Sequence, residues 1–261
     1  MKRFATLFAT YLTCLFVAFW IVAFLILGFG KVLSISGIEK SEITQDIIKL
    51  GTASLATWVW VKWKKYDFSA RNRFGRTSSV WLGLVVGGLS VVLSVVVLLP
   101  FGWLQAKSDM EPIWEALLLS LSGSIAAGVG EEIIFRGVLY TLFRDALPRW
   151  FSALIAAVLF AVSHLVLNHY DNPFLPPFYV TMGGLLFALA WELKGLWYAI
   201  GLHVGLDLAT GKIELFTNSI APSWIRLNGG VADWIPLFLL ACVLLVQQRI
   251  SGAKIQNSRI T

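Results

Sequence analysis

From Phe4 to Phe29 the chain carries no charged residue. A bilayer core of ~30 Å takes about 20 helical residues to cross, so this one run is enough to span it. A secretory signal peptide has an apolar region of about 7–15 residues followed by a small-residue cleavage site. The run here is longer and lacks a clear site, so it reads as a retained first span. Seven further apolar runs follow: Ile43 to Trp63, Ser79 to Leu104, Ile113 to Phe143, Trp150 to Asn168, Phe178 to Leu193, Gly195 to Thr210 and Trp234 to Gln247. The second is weaker, with Asp46 and Lys49 near its start. The fourth is too long for a straight crossing, so it tilts or reaches beyond the hydrocarbon.

The whole chain agrees with lipid as its solvent. Of 261 residues, 57% are hydrophobic and 14% charged, whereas soluble domains carry about a quarter charged residues. The expected fold class is therefore all-α, a polytopic transmembrane helix bundle of about eight spans, in an integral membrane protein of the cell (plasma) membrane. The net charge of +6 does not form one basic patch. Lys and Arg sit between apolar runs as loop anchors, so no nucleic-acid partner is expected. Cys14 and Cys242 lie inside apolar runs and imply no disulfide framework.

Those loop charges orient the bundle. With the N-terminus inside, the cytoplasmic set is Lys2, Arg3, Lys62, Lys64, Lys65, Arg71, Arg73, Arg76, Arg144, Arg149, Lys194, Arg249, Lys254 and Arg259. The opposite side holds Lys31, Lys40, Lys49, Lys107, Lys212 and Arg226. Cytoplasmic loops favour Lys and Arg, so both termini are expected in the cytoplasm. No internal repeat or soluble domain is evident. Arg71 to Ser79 is a polar basic loop, and Lys212 to Asp233 a longer loop on the far side, with Pro222 and Gly229-Gly230 in it.

An ionisable side chain at mid-membrane costs at least about 2.5–3.5 kcal/mol on insertion scales, so it needs a reason to be there. The fourth run contains Glu131, Glu132 and Arg136, the fifth His164, and the seventh His203 and Asp207. Counting helical rise from the cytoplasmic ends puts Glu131 roughly 18 Å deep, His164 roughly 21 Å and His203 roughly 12 Å. Tilt absorbs that spread, so the three fit one polar cavity, expected to open towards the cytoplasm. Glu132 and Arg136 are four apart on one helix face, the spacing of an ion pair. Adjacent Glu131 points about 100° away from Glu132, which leaves it to face the histidines.

The spacings carry a resemblance. Glu131-Glu132-Ile133-Ile134-Phe135-Arg136 matches E-E-x-x-x-R, Phe160 to His164 matches F-x-x-x-H, and His203 to Asp207 matches H-x-x-x-[N/D]. In this order on separate helices they resemble the CPBP family, which includes the CAAX prenyl endopeptidases of the Rce1 type and the bacterial Abi and bacteriocin-processing proteases. The resemblance covers Glu131 to Asp207. It divides the chain into N-terminal membrane helices at 1–106, three spans with a basic loop at 62–78, and a CPBP-like catalytic core at 107–261. Asp207 stands where some members have Asn.

The chemistry expected from these residues is peptide hydrolysis. A carboxylate desolvated in a membrane cavity gains proton affinity and can act as a general base. Glu131 suits that role, with His164 orienting the water or sharing the proton and His203 and Asp207 stabilising the oxyanion; the resemblance implies the same division of labour. Glu132, Arg136 and Phe160 are expected to support the site. Two chemistries stay open here. Glu131, His164 and His203 are also the ligand types of a catalytic zinc site, though no H-E-x-x-H is present. The cofactor is thus none or a divalent metal such as zinc. The substrate class is a membrane-associated polypeptide, with prenylated CAAX-type proteins included by the resemblance.

The rival class is a non-catalytic membrane protein, such as a proton-linked transporter, a chaperone or an immunity factor. Transporters commonly pair broken helices in two halves, whereas the polar residues here cluster in the C-terminal half, which favours the peptidase. Glu115, Asp109 and Glu192 near span ends read as solvated, and His169 as interfacial. Gly87-Gly88 and Gly183-Gly184 read as close helix contacts.

Overall fold

In hydrocarbon a backbone has no water to bond, so every N–H and C=O must be satisfied within the chain, and helices do this segment by segment. The computed structural model follows that rule. It describes residues 2–32, 42–65, 74–102, 104–106, 113–167, 175–219 and 234–257. The helices are α1 (Lys2–Val32), α2 (Glu42–Lys64), α3 (Ser79–Leu98), α4 (Ile113–Glu132), α5 (Thr141–Ala146), α6 (Arg149–Leu167), α7 (Leu175–Lys194), α8 (Leu196–Phe216) and α9 (Trp234–Asn257). A π-helical segment, Ile133–Tyr140, joins α4 to α5 without a break. The bundle thus has eight rods among the described residues, one for each apolar run, and the fold is an all-α membrane bundle.

Three stretches are long and apolar enough to cross a membrane: Arg3–Gly28, Ser79–Phe101 and Ala116–Ala146. Arg149–Leu165 and Ile235–Gln248 are shorter apolar helices. Large apolar side chains stand on the outside of the rods, among them Phe24, Trp81, Trp114, Trp150 and Phe238. In water such a surface would drive aggregation, and in lipid it is the solvated one.

Local structure departs from the sequence reading in four places. The long fourth run takes up its excess length by switching to π geometry at Ile133. The third run stops as an α-helix at Leu98, where Pro100 sits in a short 3-10 turn, Leu99–Phe101. Beyond it β1 (Leu104–Ala106) pairs antiparallel with β2 (Thr217–Ser219), a small ribbon tying the end of α3 to the end of α8. Finally, α8 and α9 run on past Thr210 and Gln247. The expectations for Arg71, Arg73, Asp109, His169, Pro222, Arg226 and Gly229-Gly230 lie outside the described residues.

Glycine decides how closely the rods approach. A Cβ added at Gly83 or Gly87 on α3 would collide with the α8 backbone at Tyr198 to Leu206. One added at Gly201 or Gly205 on α8 would collide with the α3 backbone at Val80 or Leu84. Two small-xxx-small rows thus face each other, and the helices touch backbone to backbone. Of the glycine pairs read from sequence, Gly87 and Gly184 sit at such contacts, while Gly88 and Gly183 meet nothing closer than 3.7 Å and 3.9 Å. Between α7 and α8 the chain turns in one residue, Gly195, at φ 94°, a backbone that only glycine adopts without strain.

A polar clamp closes the end of the bundle at the α5–α6 hairpin. Tyr140 donates to Glu192 Oε1 at 2.6 Å, Arg144 Nε donates to the same oxygen at 3.1 Å, and Arg149 Nε lies 3.6 Å from it. Glu192 is therefore not a solvated span-end residue. It ties α7 to both sides of the hairpin.

Candidate active site

Why the polar side chains converge follows from the rods that carry them. Glu131 and Glu132 close α4, Arg136 lies one turn into the π segment, His164 near the end of α6, and His203 and Asp207 in the middle of α8. Gly128 lets α4 approach α8, because a Cβ there would strike Val204. Gly184 does the same for α7, where a Cβ would meet Ala157 at 2.9 Å and Arg136 Nη2 at 3.3 Å.

The innermost layer is a charge pair. Arg136 Nη1 donates to Glu132 Oε1 at 2.7 Å, and Arg136 Nη2 donates to the Gly184 carbonyl at 3.1 Å. Both ions are buried, Glu132 at 0% and Arg136 at 1% exposure. Two rings cover the guanidinium, Phe160 at 4.4 Å and Phe187 at 5.1 Å from centroid to Cζ. A buried ion tolerates such a place only when paired and bonded on its remaining protons. Here the carboxylate, a carbonyl and two π faces meet that need.

Glu132 has a second partner that spacing along one helix does not reveal. His203 Nδ1 lies 2.9 Å from Glu132 Oε1. The carboxylate accepts, so Nδ1 carries the proton and the other ring nitrogen, Nε2, turns outward. Phe187 stacks flat on this imidazole, with centroids 4.4 Å apart and an interplanar angle of 20°. The His203 ring is thus fixed by a carboxylate at one edge and an aromatic face beneath it.

The outward layer is more accessible. His164 Nδ1 lies 2.9 Å from the Phe160 carbonyl, which can only accept, so its Nε2 is again the free nitrogen. That Nε2 lies 3.7 Å from Glu131 Oε2, and His203 Nε2 lies 4.0 Å from the same oxygen. Asp207 Oδ2 sits 3.4 Å from His203 Nε2. Glu131 Oε2 is itself buried and makes no hydrogen bond among the described residues. The structure brings Glu131, His164, His203 and Asp207 around one small volume, with Glu132, Arg136 and Phe160 behind them. Phe187 and the Gly184 carbonyl also belong to this group. Phe187 leaves no trace in sequence, since a phenylalanine in an apolar run reads as packing; the paired glycines were the signal for Gly184.

Exposure changes sharply across the site. Glu131, His164 and Asp207 are 26%, 23% and 31% exposed. On the hairpin side, Phe135 to Phe143 and Tyr198 to Leu206 are buried throughout. The more exposed side chains of the site therefore lie on the side away from the Arg144 end, whereas the depth count suggested an opening towards it.

Glu131, His164 and His203 supply the donor types of a zinc site, but their spacing does not fit one. An edge of a tetrahedral shell with ~2.0–2.1 Å bonds is about 3.3 Å, shorter than both carboxylate–imidazole separations. Among the described residues no group of three His, Cys, Asp or Glu side chains has the geometry to hold a metal ion.

Residues 112–209 match the family model of the type II CAAX prenyl endopeptidases, Rce1-like. The match contains all the motif residues of the site. No curated protein and no solved structure matches the chain.

Proposed function

Proceeding from the Rce1-like segment at residues 112–209, we propose that the chain is an intramembrane endopeptidase in which Glu131 activates water against the peptide bond of a membrane-associated polypeptide. The observation that carries this reading is the unbonded Glu131 Oε2, 3.7 and 4.0 Å from two imidazole nitrogens. Gaps of that width are too long for a direct hydrogen bond and suit one bridging water.

In the proposed reaction the water gives a proton to Glu131 while its oxygen attacks the carbonyl carbon. His164, whose Nδ1–H is committed to Phe160, accepts from the water through Nε2 and holds it in line. The π electrons of the carbonyl move onto its oxygen. With His203 Nδ1–H committed to Glu132, the donor left for that oxyanion is an N–H at His203 Nε2 or the acid form of Asp207 beside it. The tetrahedral intermediate collapses as the C–N bond breaks, and the proton on Glu131 passes to the leaving amine. Glu132 and Arg136 take no part in the bond changes. They hold the His203 ring in place through its Nδ1–H.

The test uses the full chain reconstituted in proteoliposomes with lipid-anchored and membrane-spanning test peptides. Glu131→Gln keeps the side chain's shape and removes the base, so turnover per folded molecule should fall by about 10²–10⁴. Unchanged turnover in that variant overturns the proposal. So does loss of wild-type activity in a chelator with recovery on zinc, since Glu131 would then be a ligand and not the base.

A further inference from the structure

We infer that this site takes its substrate from the non-cytoplasmic half of the membrane, so that it cleaves exported or membrane-anchored polypeptides on their outer side and not prenylated proteins held at the cytoplasmic surface. The inference rests on the hydrolase reading above and adds the side from which the peptide arrives.

Three helices carry the argument. On α8 the residues from Tyr198 to Leu206 are buried, and Asp207 to Gly211 are partly open. On α6 the inward row Ser152, Ala153, Ala156, Ala157, Phe160 and Ala161 is buried, and His164, one turn further, is not. That histidine sits roughly 22 Å along α6 from Arg149 but within one turn of Leu167.

The third helix gives the clearest sign. On α4, Trp114, Leu118, Leu121 and Ile125 form one face at steps of four, three and four residues, all exposed. Seven residues beyond Ile125 the same face carries Glu132, then Arg136, both fully covered by α7 and α8 partners. One helix face is therefore open to lipid on the outer side of the catalytic residues and covered by α7 and α8 partners on the other.

The hairpin end offers no comparable way in. Tyr140, Arg144 and Arg149 converge on Glu192 there, and the buried block from Phe135 to Phe143 lies between that clamp and Glu131. That end is also where the basic residues gather: Arg144, Arg149 and Lys194 beside it, and Lys62, Lys64, Lys65 and Arg76 at the same level of the charge count. A basic end stays in the cytoplasm. The open end consequently faces outward, and a peptide bond reaching Glu131 comes from that side.

Cysteine accessibility reads this directly. In a chain with Cys14→Ala and Cys242→Ala, single cysteines are placed at Ala127 and Thr210, each one turn outward of the site, and at Asp145 on the hairpin. A membrane-impermeant maleimide is applied to intact cells and to inverted vesicles. The expected result is labelling of Ala127→Cys and Thr210→Cys in cells with loss of labelling in inverted vesicles, and the reverse for Asp145→Cys. Labelling of Ala127→Cys and Thr210→Cys from the cytoplasmic side, or of Asp145→Cys from outside, overturns the inference and leaves the hydrolase reading intact. A second arm co-expresses two single-pass reporters, with the same unstructured juxtamembrane segment on the outer or the inner side. Cleavage of the outer reporter by wild type but not by Glu131→Gln is expected; cleavage of the inner one overturns the inference. Outside labelling with neither reporter cut overturns the hydrolase reading and the substrate class with it, while the direction of the opening stands.

Discussion

The rod from Ile113 to Ala146 has two ends that live under different rules. Towards Ala146, from Phe135 to Phe143, its side chains are buried, and among them Arg136 bonds Glu132 and the Gly184 carbonyl while Tyr140 bonds Glu192. Towards Ile113 its large side chains face outward. The polar network sits at the closed end and Glu131, the proposed base, at the boundary. A base needs a desolvated place that a substrate can still reach, and a boundary between packed and open halves provides both.

The contrast is sharpest between neighbours. Glu132→Gln leaves Arg136 as an uncompensated buried cation and should cost about 3–5 kcal/mol, read as a lower melting temperature in detergent. Glu131→Gln, at the boundary, should stay within about 1 kcal/mol of wild type in the same melt. Equal destabilisation by both would erase the distinction between the two carboxylates. Next in size is the glycine seam. Gly201→Ala pushes a methyl group into the α3 backbone at Val80 and should cost about 1–3 kcal/mol. Gly88→Ala, whose nearest neighbour is the Gly205 carbonyl at 3.7 Å, should be close to neutral; a similar loss from both would mean that the seam is not set by backbone contact. Tyr140→Phe removes one hydrogen bond to Glu192, and about 1 kcal/mol is expected in the melt. Smallest is Ile125→Ala on the open face, expected within about 0.5 kcal/mol. A loss comparable to that of a core residue there would mean that the face is covered after all.

Much of the fold was legible because its signals are local. Apolar length marks a rod whatever its neighbours are, and the eight runs correspond to the eight rods. The motif residues stood out for a related reason, since a charge in hydrocarbon needs a cause. What escaped was non-local. The second bond of Glu132, to His203, joins residues 71 positions apart. Glu192 looked like a free span end because its partners arrive from another helix pair. The ribbon of three-residue strands is too short to have a period. The π segment has the composition of an α-helix, and its apolar run gave only its excess length as a clue. Which end of the site is covered was not legible either, because depth along one helix says nothing of what the other helices cover.

The seam between α3 and α8 has a consequence for how the molecule is made. Gly83 and Gly201 touch in the finished bundle but are separated by 118 positions in the chain (201 − 83). At about 5–20 residues per second of synthesis, α3 waits for roughly 6–24 s before its partner is translated. During that interval its glycine row, lying flat against nothing but acyl chains, is a ready surface for the wrong helix. Ribosome-associated chains stopped before and after Gly205 should therefore differ in cross-linking from α3, first to insertion machinery or lipid and then to α8.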